Sequence, residues 1–250
     1  MTSIVSIIFL SLIEAAAPNH QLVFTSGTTI VIRKAPSQIV VGADSMTRES
    51  GNGAVSFSEC KIRQVGDDFL AMGGNIREKV TGFDAFKIAT QAMRDSDKPI
   101  DKVKGFERNI LTPLTEVIRM VRSKNPEYFE NRLRDKIVLF VAFFGIEQQS
   151  LYLYVRSYKA TAYNSIDVKV EPEGSTDCLT GCNTILALGE TDAITDYLNT
   201  NPKPVLSVEL VRKLVQVEIE QTPEYVGPPI DIVRLDTNGA NWVDVKPECK

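Results

Sequence analysis

The sequence predicts an α+β fold: one domain in which two mainly antiparallel sheets are held between helix pairs. Three observations point there. Strand-like runs crowd before residue 75, helical stretches follow, and a second block of strands opens at Lys136 before helices and strands close the chain. The stretch Lys136–Ile146 (KIVLFVAFFGI) is almost continuously apolar, as a strand covered on both faces requires. No repeat or low-complexity linker divides the chain after residue 28, and 250 residues at 43% hydrophobic and 24% charged can fill one globular unit.

The elements follow in order. Thr28–Lys34 (TTIVIRK) and Gln38–Ala43 (QIVVGA) are β-rich runs joined by the turn Ala35-Pro36-Ser37. Cys60–Val65 and Phe69–Met72 form a second hairpin around Gly66-Asp67-Asp68. Gly74 opens a change of period. From Ile76 to Met93, Val80, Phe83, Ile88 and Ala89 recur at near-helical spacing, and a second stripe (Ile110, Leu114, Val117, Val121) marks a helix over Phe106–Val121. After Lys136–Ile146, strands are expected at Leu151–Arg156 and Ala160–Val168, and a short one at Ile185–Gly189. Helices are expected at Asp192–Leu198 and Val208–Ile219, and closing strands at Ile230–Leu235 and Asn241–Val245.

The first segment stands apart. Ile4–Ile13 (IVSIIFLSLI) is an apolar run of ten followed by Ala15-Ala16-Ala17. It falls short of the roughly 20 residues of a membrane-spanning helix, so no stable membrane anchor is expected. A short apolar core with small residues behind it reads as a secretory signal over 1–17; the other reading is a hydrophobic strand or helix of the fold. Export to the periplasm or beyond is expected on the first, a cytoplasmic protein on the second. Cys60, Cys178, Cys182 and Cys249 make an even count, compatible with disulfides in an oxidising compartment or with four buried thiols. Three pairings are open.

Charge and histidine count narrow the chemistry. A net charge of −4 argues against nucleic acid as a partner. His20 is the single histidine, so a Ser-His-Asp triad, a Cys-His pair or a His-ligated zinc site would all depend on that one residue. No metal or organic cofactor is implied.

Without histidine, a hydroxyl can be activated by an amine. An N-terminal threonine holds both groups, because its α-amine, with a reference pKa of about 8, takes the hydroxyl proton. A neighbouring lysine holds that amine down by like-charge repulsion, an aspartate fixes the lysine, and a backbone N–H serves the oxyanion. The chain carries such a set in order: Gly27-Thr28-Thr29 opens the first strand, Asp44 ends the second, Lys61 starts the third, and Gly73 ends the fourth.

Over GTTIVIRK…IVVGADS, CKIRQV and FLAMGG the sequence resembles the proteasome β-subunits and their bacterial relative, the peptidase subunit of the ATP-dependent two-component protease. The likeness is specific over Gly27–Gly74. It implies an N-terminal nucleophile (Ntn) hydrolase, with a four-layer αββα sandwich over 28–250 and 18–27 as a propeptide removed by self-cleavage at Gly27–Thr28. It further implies Thr28 as nucleophile and base, Asp44 and Lys61 as its support, Gly73 as oxyanion donor, a peptide or small amide as substrate, and a homo-oligomer. Lys61 stands seventeen residues past Asp44, one more than the family interval.

The second half departs from the family. Where active members carry a Gly-Ser-Gly turn, this chain has Leu188-Gly189-Glu190-Thr191, so Glu190 and Thr191 are the supporting candidates there. Where an Asp-x-x-Ser-Gly element belongs, it has Pro223-Glu224-Tyr225-Val226-Gly227, with Thr222 and Glu224 as substitutes to be tested. The alternative function is therefore a catalytically inactive structural or binding subunit on the same fold.

Overall fold

The computed structural model describes residues 25–26, 28–49, 56–163, 167–179, 181–201 and 207–249. The expected signal over 1–17, Gly27 and nearly all of the expected propeptide lie outside the described residues.

The strands are β1 (Thr25–Ser26), β2 (Thr29–Ala35), β3 (Gln38–Ala43), β4 (Met46–Glu49), β5 (Ser56–Ser58), β6 (Ile62–Val65), β7 (Asp68–Gly74), β8 (Arg77–Glu78) and β9 (Phe83–Asp84). Helices α1 (Ala85–Arg94), α2 (Pro99–Lys124) and the one-turn α3 (Pro126–Tyr128) follow, with a π-turn over Phe129–Leu133. Then come β10 (Lys136–Glu147), β11 (Ser150–Ala162), β12 (Val168–Cys178), β13 (Thr184–Gly189), α4 (Asp192–Thr200), α5 (Val208–Gln221), β14 (Asp231–Asp236) and β15 (Gly239–Asp244).

Ten of these strands build two five-stranded sheets, ordered β13-β2-β3-β14-β15 and β12-β11-β10-β7-β6, while β1-β4-β5 and β8-β9 form two small sheets. Every neighbouring pair in both five-stranded sheets is antiparallel. The fold is thus α+β. Alternation within the strands splits the core into three clusters. Ile30, Ile32, Val41 and Val233 of the first sheet meet Phe69, Ala142, Phe144 and Leu153 of the second. The opposite face of the second sheet, through Met72, Val141 and Phe143, packs on Phe86 of α1 and Phe106, Ile110 and Val117 of α2. The opposite face of the first, through Val31, Val40 and Ile232, packs on Ile194 of α4 and Val211, Leu214 and Val215 of α5. Each such side chain contributes about 1.5–3 kcal/mol by leaving water.

The structure differs from the sequence expectation in four places. Leu151–Arg156 and the start of Ala160–Val168, expected as separate strands, are one strand, β11, held by its long ladders with β10 and β12. The helix expected from Ile76 begins only at Ala85, because Glu78 is buried and its carboxylate accepts from Val80 N (2.7 Å) and Thr81 N (2.6 Å), closing a turn between β8 and β9. Asp84 then caps α1, accepting from Lys87 N at 3.0 Å. The helix expected at Phe106 begins at Pro99, where a proline at the first position forfeits no helical bond. It continues through Pro113, its buried stripe unbroken on either side. Finally, β12 covers a polar stretch with Pro172 and Gly174 that carries no strand signal. It lies at the sheet edge, where a missing donor is tolerated.

The cysteines pair as Cys60–Cys249 and Cys178–Cys182. The first ties the start of β6 to the C-terminal turn; the second closes the loop between β12 and β13. No helix among the described residues is long and apolar enough to cross a membrane.

Candidate active site

Thr28 precedes β2, an inner strand, so two neighbours determine its surroundings. Register pairs Thr29 with Gly189 on β13 and Ile30 with Ala43 on β3. The ends of both neighbours therefore arrive beside Thr28, which is 5% exposed. Gly189 has φ +94°, and a Cβ there would overlap the Thr28 carbonyl oxygen. That close approach and the left-handed backbone both call for glycine.

Asp44 follows β3 directly and is fully buried. Its Oδ1 accepts from Thr29 N at 2.7 Å and from Lys61 Nζ at 2.7 Å. Its Oδ2 accepts from Met46 N and Gly227 N, both at 3.1 Å. Lys61 is fully buried as well, and its Nζ also donates to Met46 O at 2.6 Å. Lys61 belongs to the other sheet, where its carbonyl accepts from Met72 N at 3.0 Å. The ion pair thus spans the space between the sheets, and one carboxylate oxygen links the buried ammonium to the first amide of β2.

Burial is the leading cause of both pKa shifts. It pushes the Lys61 ammonium below the usual lysine range, opposed by the Asp44 charge. It pushes the Asp44 carboxyl above the usual carboxylate range, opposed by Lys61 and by the amides of Thr29 and Gly227.

Gly73 lies against Thr28: a Cβ there would overlap Thr28 Cγ2. It pairs with Phe140 in the β7–β10 ladder. Met72 N donates toward β6 and Asn75 N donates to Val138 O (2.7 Å) on β10. Strand alternation between them turns the Gly73 N–H toward β10 and the Gly74 N–H away from it. Gly74 lines a cleft of about 520 Å³ that has Thr28 in its wall.

Glu190 meets Thr28 through its backbone. Its N–H donates to Thr28 O at 2.9 Å, and its carbonyl accepts from Thr29 Oγ1 at 2.8 Å. Thr191 is one residue further, at the N-terminal boundary of α4. Thr222 and Glu224 are placed elsewhere: the Thr222 hydroxyl donates to Glu218 O (3.0 Å), and Glu224 is exposed with its carbonyl accepting from Arg48. The 223–227 segment contributes backbone instead. Gly227 N reaches Asp44, and Gly227 O accepts from Ser45 N (3.0 Å) and Met46 N (3.2 Å).

Two supporting acids carried no readable motif. Glu218, buried on α5, accepts from Ala193 N (3.1 Å) and Ile194 N (3.3 Å), capping α4 just behind the Glu190 turn. An acid within the apolar stripe Leu214, Val215, Ile219 was its available signal. Asp231 is buried and pairs with Lys246 (3.4 Å), whose Nζ also donates to Glu59 O at 2.7 Å, two residues before Lys61.

No family model matches the sequence, and no curated protein matches it. Solved structures do. One, described as "Thiobacillus denitrificans BPH in complex with Epoxomicin", is 18% identical, with 84% of this chain and 98% of that chain covered at a TM-score of 0.41. Another, "Anbu (Gly-1) mutant from Hyphomicrobium sp. strain MC1", is 16% identical, with 87% and 86% covered at a TM-score of 0.49. At these identities and scores neither likeness bears on the chemistry, which rests on the residues above.

Proposed function

We propose that the chain is a proteasome-like, threonine-type Ntn hydrolase of peptide or amide bonds, and that its domain, 28–250, is a four-layer αββα sandwich. The three apolar clusters, helix-to-sheet, sheet-to-sheet and sheet-to-helix, support the layering. The single observation that carries the function is the shared Asp44 Oδ1. It places a buried cation two hydrogen bonds from the amide that follows Thr28.

In this proposal Thr28 Oγ first attacks the Gly27 carbonyl, the amide becomes an ester, and water hydrolyses the ester. The segment ending at Gly27 departs with a new carboxylate and Thr28 keeps a free amine. In turnover that amine takes the Oγ proton as Oγ attacks the scissile carbonyl. The Gly74 N–H, which strand alternation turns away from β10, stabilises the oxyanion in place of the expected Gly73 N–H, which is turned into the β7–β10 ladder. The amine then protonates the leaving nitrogen, and water hydrolyses the acyl ester. The Lys61 ammonium disfavours a second positive charge on the Thr28 nitrogen, which keeps it a base.

The same proposal makes 1–17 an export signal and 18–27 a propeptide. The two disulfides suit an oxidising compartment, and assembly into a homo-oligomer follows from the resemblance. The test is intact-mass measurement of purified protein. Wild type should begin at Thr28, whereas Thr28→Ala should retain residues N-terminal to it and cut no peptide. A wild type that keeps those residues while folded overturns the mechanism. It would favour instead the inactive subunit, the reading motivated by Glu190 and by Pro223–Gly227 without aspartate or serine.

A further inference from the structure

The cleft beside Thr28 has an unbalanced charge. Its walls bring together Arg132, Lys136 and Glu190, with Leu133 and Phe140 as an apolar floor. Around the cations the sequence runs Arg132-Leu133-Arg134-Asp135-Lys136. Arg134, between them, pairs with Glu130 (2.7 Å) and Asp135 (3.5 Å). Among the described residues, neither Arg132 nor Lys136 pairs with a carboxylate; Lys136 Nζ reaches only the carbonyl of Asn131, at 3.3 Å. Glu130 and Asp135 are thus taken up by the one cation of the three that does not line the cleft.

Arg132 is also preorganised. Its Cζ lies 4.8 Å from the ring centroid of Tyr225, in the 223–227 segment that supplies the Gly227 amide to Asp44. Stacking uses the face of a guanidinium and leaves its in-plane N–H fork for a bidentate acceptor. Glu190 also lines the cleft, its backbone bonded to Thr28 and Thr29. No ion pair joins Glu190 to either cation among the described residues, so Arg132 and Lys136 remain without a paired carboxylate in a protein of net charge −4.

The geometry points to a carboxylate-recognition subsite: Arg132 and Lys136 select substrates that place an acidic group next to the bond presented to Thr28. The inference rests on the hydrolase proposal for what the subsite serves, but its binding half can be read without turnover. Two sources supply a carboxylate, an Asp or Glu side chain and the free C-terminus of a short peptide. Apolar body beside the acid suits the floor of Leu133 and Phe140.

The experiment uses fluorescein-labelled octapeptides of one sequence in three forms: Glu with an amidated C-terminus, Gln with an amidated C-terminus, and Gln with a free C-terminus. Anisotropy titration against the purified wild-type protein, read before the peptide is cut, should show one carboxylate form binding about tenfold tighter than the neutral peptide, identifying the source. The advantage should shrink in high salt, because both cations are exposed. It should vanish in Arg132→Gln/Lys136→Gln, whose melting temperature should stay near that of the parent. Equal binding of all three forms, or a preference that survives in the double variant, overturns the subsite. Carboxylate preference in binding with no self-cleavage of wild type keeps the subsite and removes the hydrolase. Self-cleaved protein that cuts all three peptides at equal kcat/KM does the reverse.

Discussion

Replacing Lys61 by methionine isolates the ion pair between the sheets. Methionine fills nearly the same volume, so no large cavity opens and the loss is electrostatic. Lys61 and Asp44 are both fully buried, and Nζ makes bonds of 2.7 Å to Asp44 Oδ1 and 2.6 Å to Met46 O. The variant leaves a carboxylate out of water with three N–H donors and no counter-charge, and it leaves the Met46 carbonyl without that donor. Removing one partner of a buried pair costs about 3–5 kcal/mol, and in a domain of this size each kcal/mol lowers Tm by roughly 2–4 °C. A drop on the order of 10 °C at neutral pH is expected. The pH dependence identifies the cause. Burial already pushes the Asp44 carboxyl up, and loss of the cation pushes it further. A carboxyl raised in the folded state costs stability as pH rises above its unfolded value, because the unfolded chain releases the proton first. The deficit against wild type should therefore be largest near neutrality and narrow as pH falls toward the unfolded value of 3.8. Calorimetry from acid to neutral pH reads it. A deficit under about 1 kcal/mol, or one that does not change with pH, refutes the buried-pair argument. Intact mass of the same samples should show the N-terminal segment retained.

Other perturbations follow from neighbouring geometry. Gly189→Ala forces a Cβ onto the Thr28 carbonyl at φ +94°; a loss of at least about 2 kcal/mol in urea unfolding, with self-cleavage abolished, is expected. Glu218→Gln weakens the cap on Ala193 N and Ile194 N and should cost about 1 kcal/mol, lowering turnover while Thr28 is still exposed by cleavage. The two disulfides should differ: Cys60–Cys249 closes a separation of 189 residues and Cys178–Cys182 one of 4. Loop entropy then assigns about 5 and about 2 kcal/mol, measurable by comparing the two Cys→Ser pairs in denaturant.

Regular alternation and contiguous motifs were legible in the sequence; non-local and backbone features were not. β2, β3, β6, β7 and β10 carry strong period-two or continuously apolar patterns, and they are the strands that bring Thr28, Asp44, Lys61 and Gly73 together. The polar edge strand β12 escaped because its stability comes from the long ladder with β11, not from its own residues. The late start of α1 escaped because Glu78 folds its carboxylate back onto Val80 N and Thr81 N, which overrides the helical spacing of the apolar residues around it. Lys246 and Asp231 escaped for a third reason. The β14–β15 register, with Ile232 opposite Asp244, brings them together, and no spacing within either segment signals that Lys246 then reaches Glu59 beside β6.

The turns at Glu190 and at 223–227 make their contacts through the backbone. At the Glu190 turn the contact with Thr28 is made by a peptide N–H, and the neighbouring carbonyl takes the Thr29 hydroxyl. At 223–227 the contact with Asp44 is the Gly227 N–H. Main-chain groups are present whatever side chain stands there, so these bonds would be the same with a serine at position 190. What changes is charge. In the proposed hydrolase a hydroxyl beside the freed amine would be neutral, whereas a carboxylate there would favour the ammonium form of the Thr28 nitrogen, opposing Lys61. The acid limb of the kcat/KM profile should accordingly lie higher in wild type than in Glu190→Ser, and a limb that does not move would place the Glu190 carboxylate out of reach of the amine.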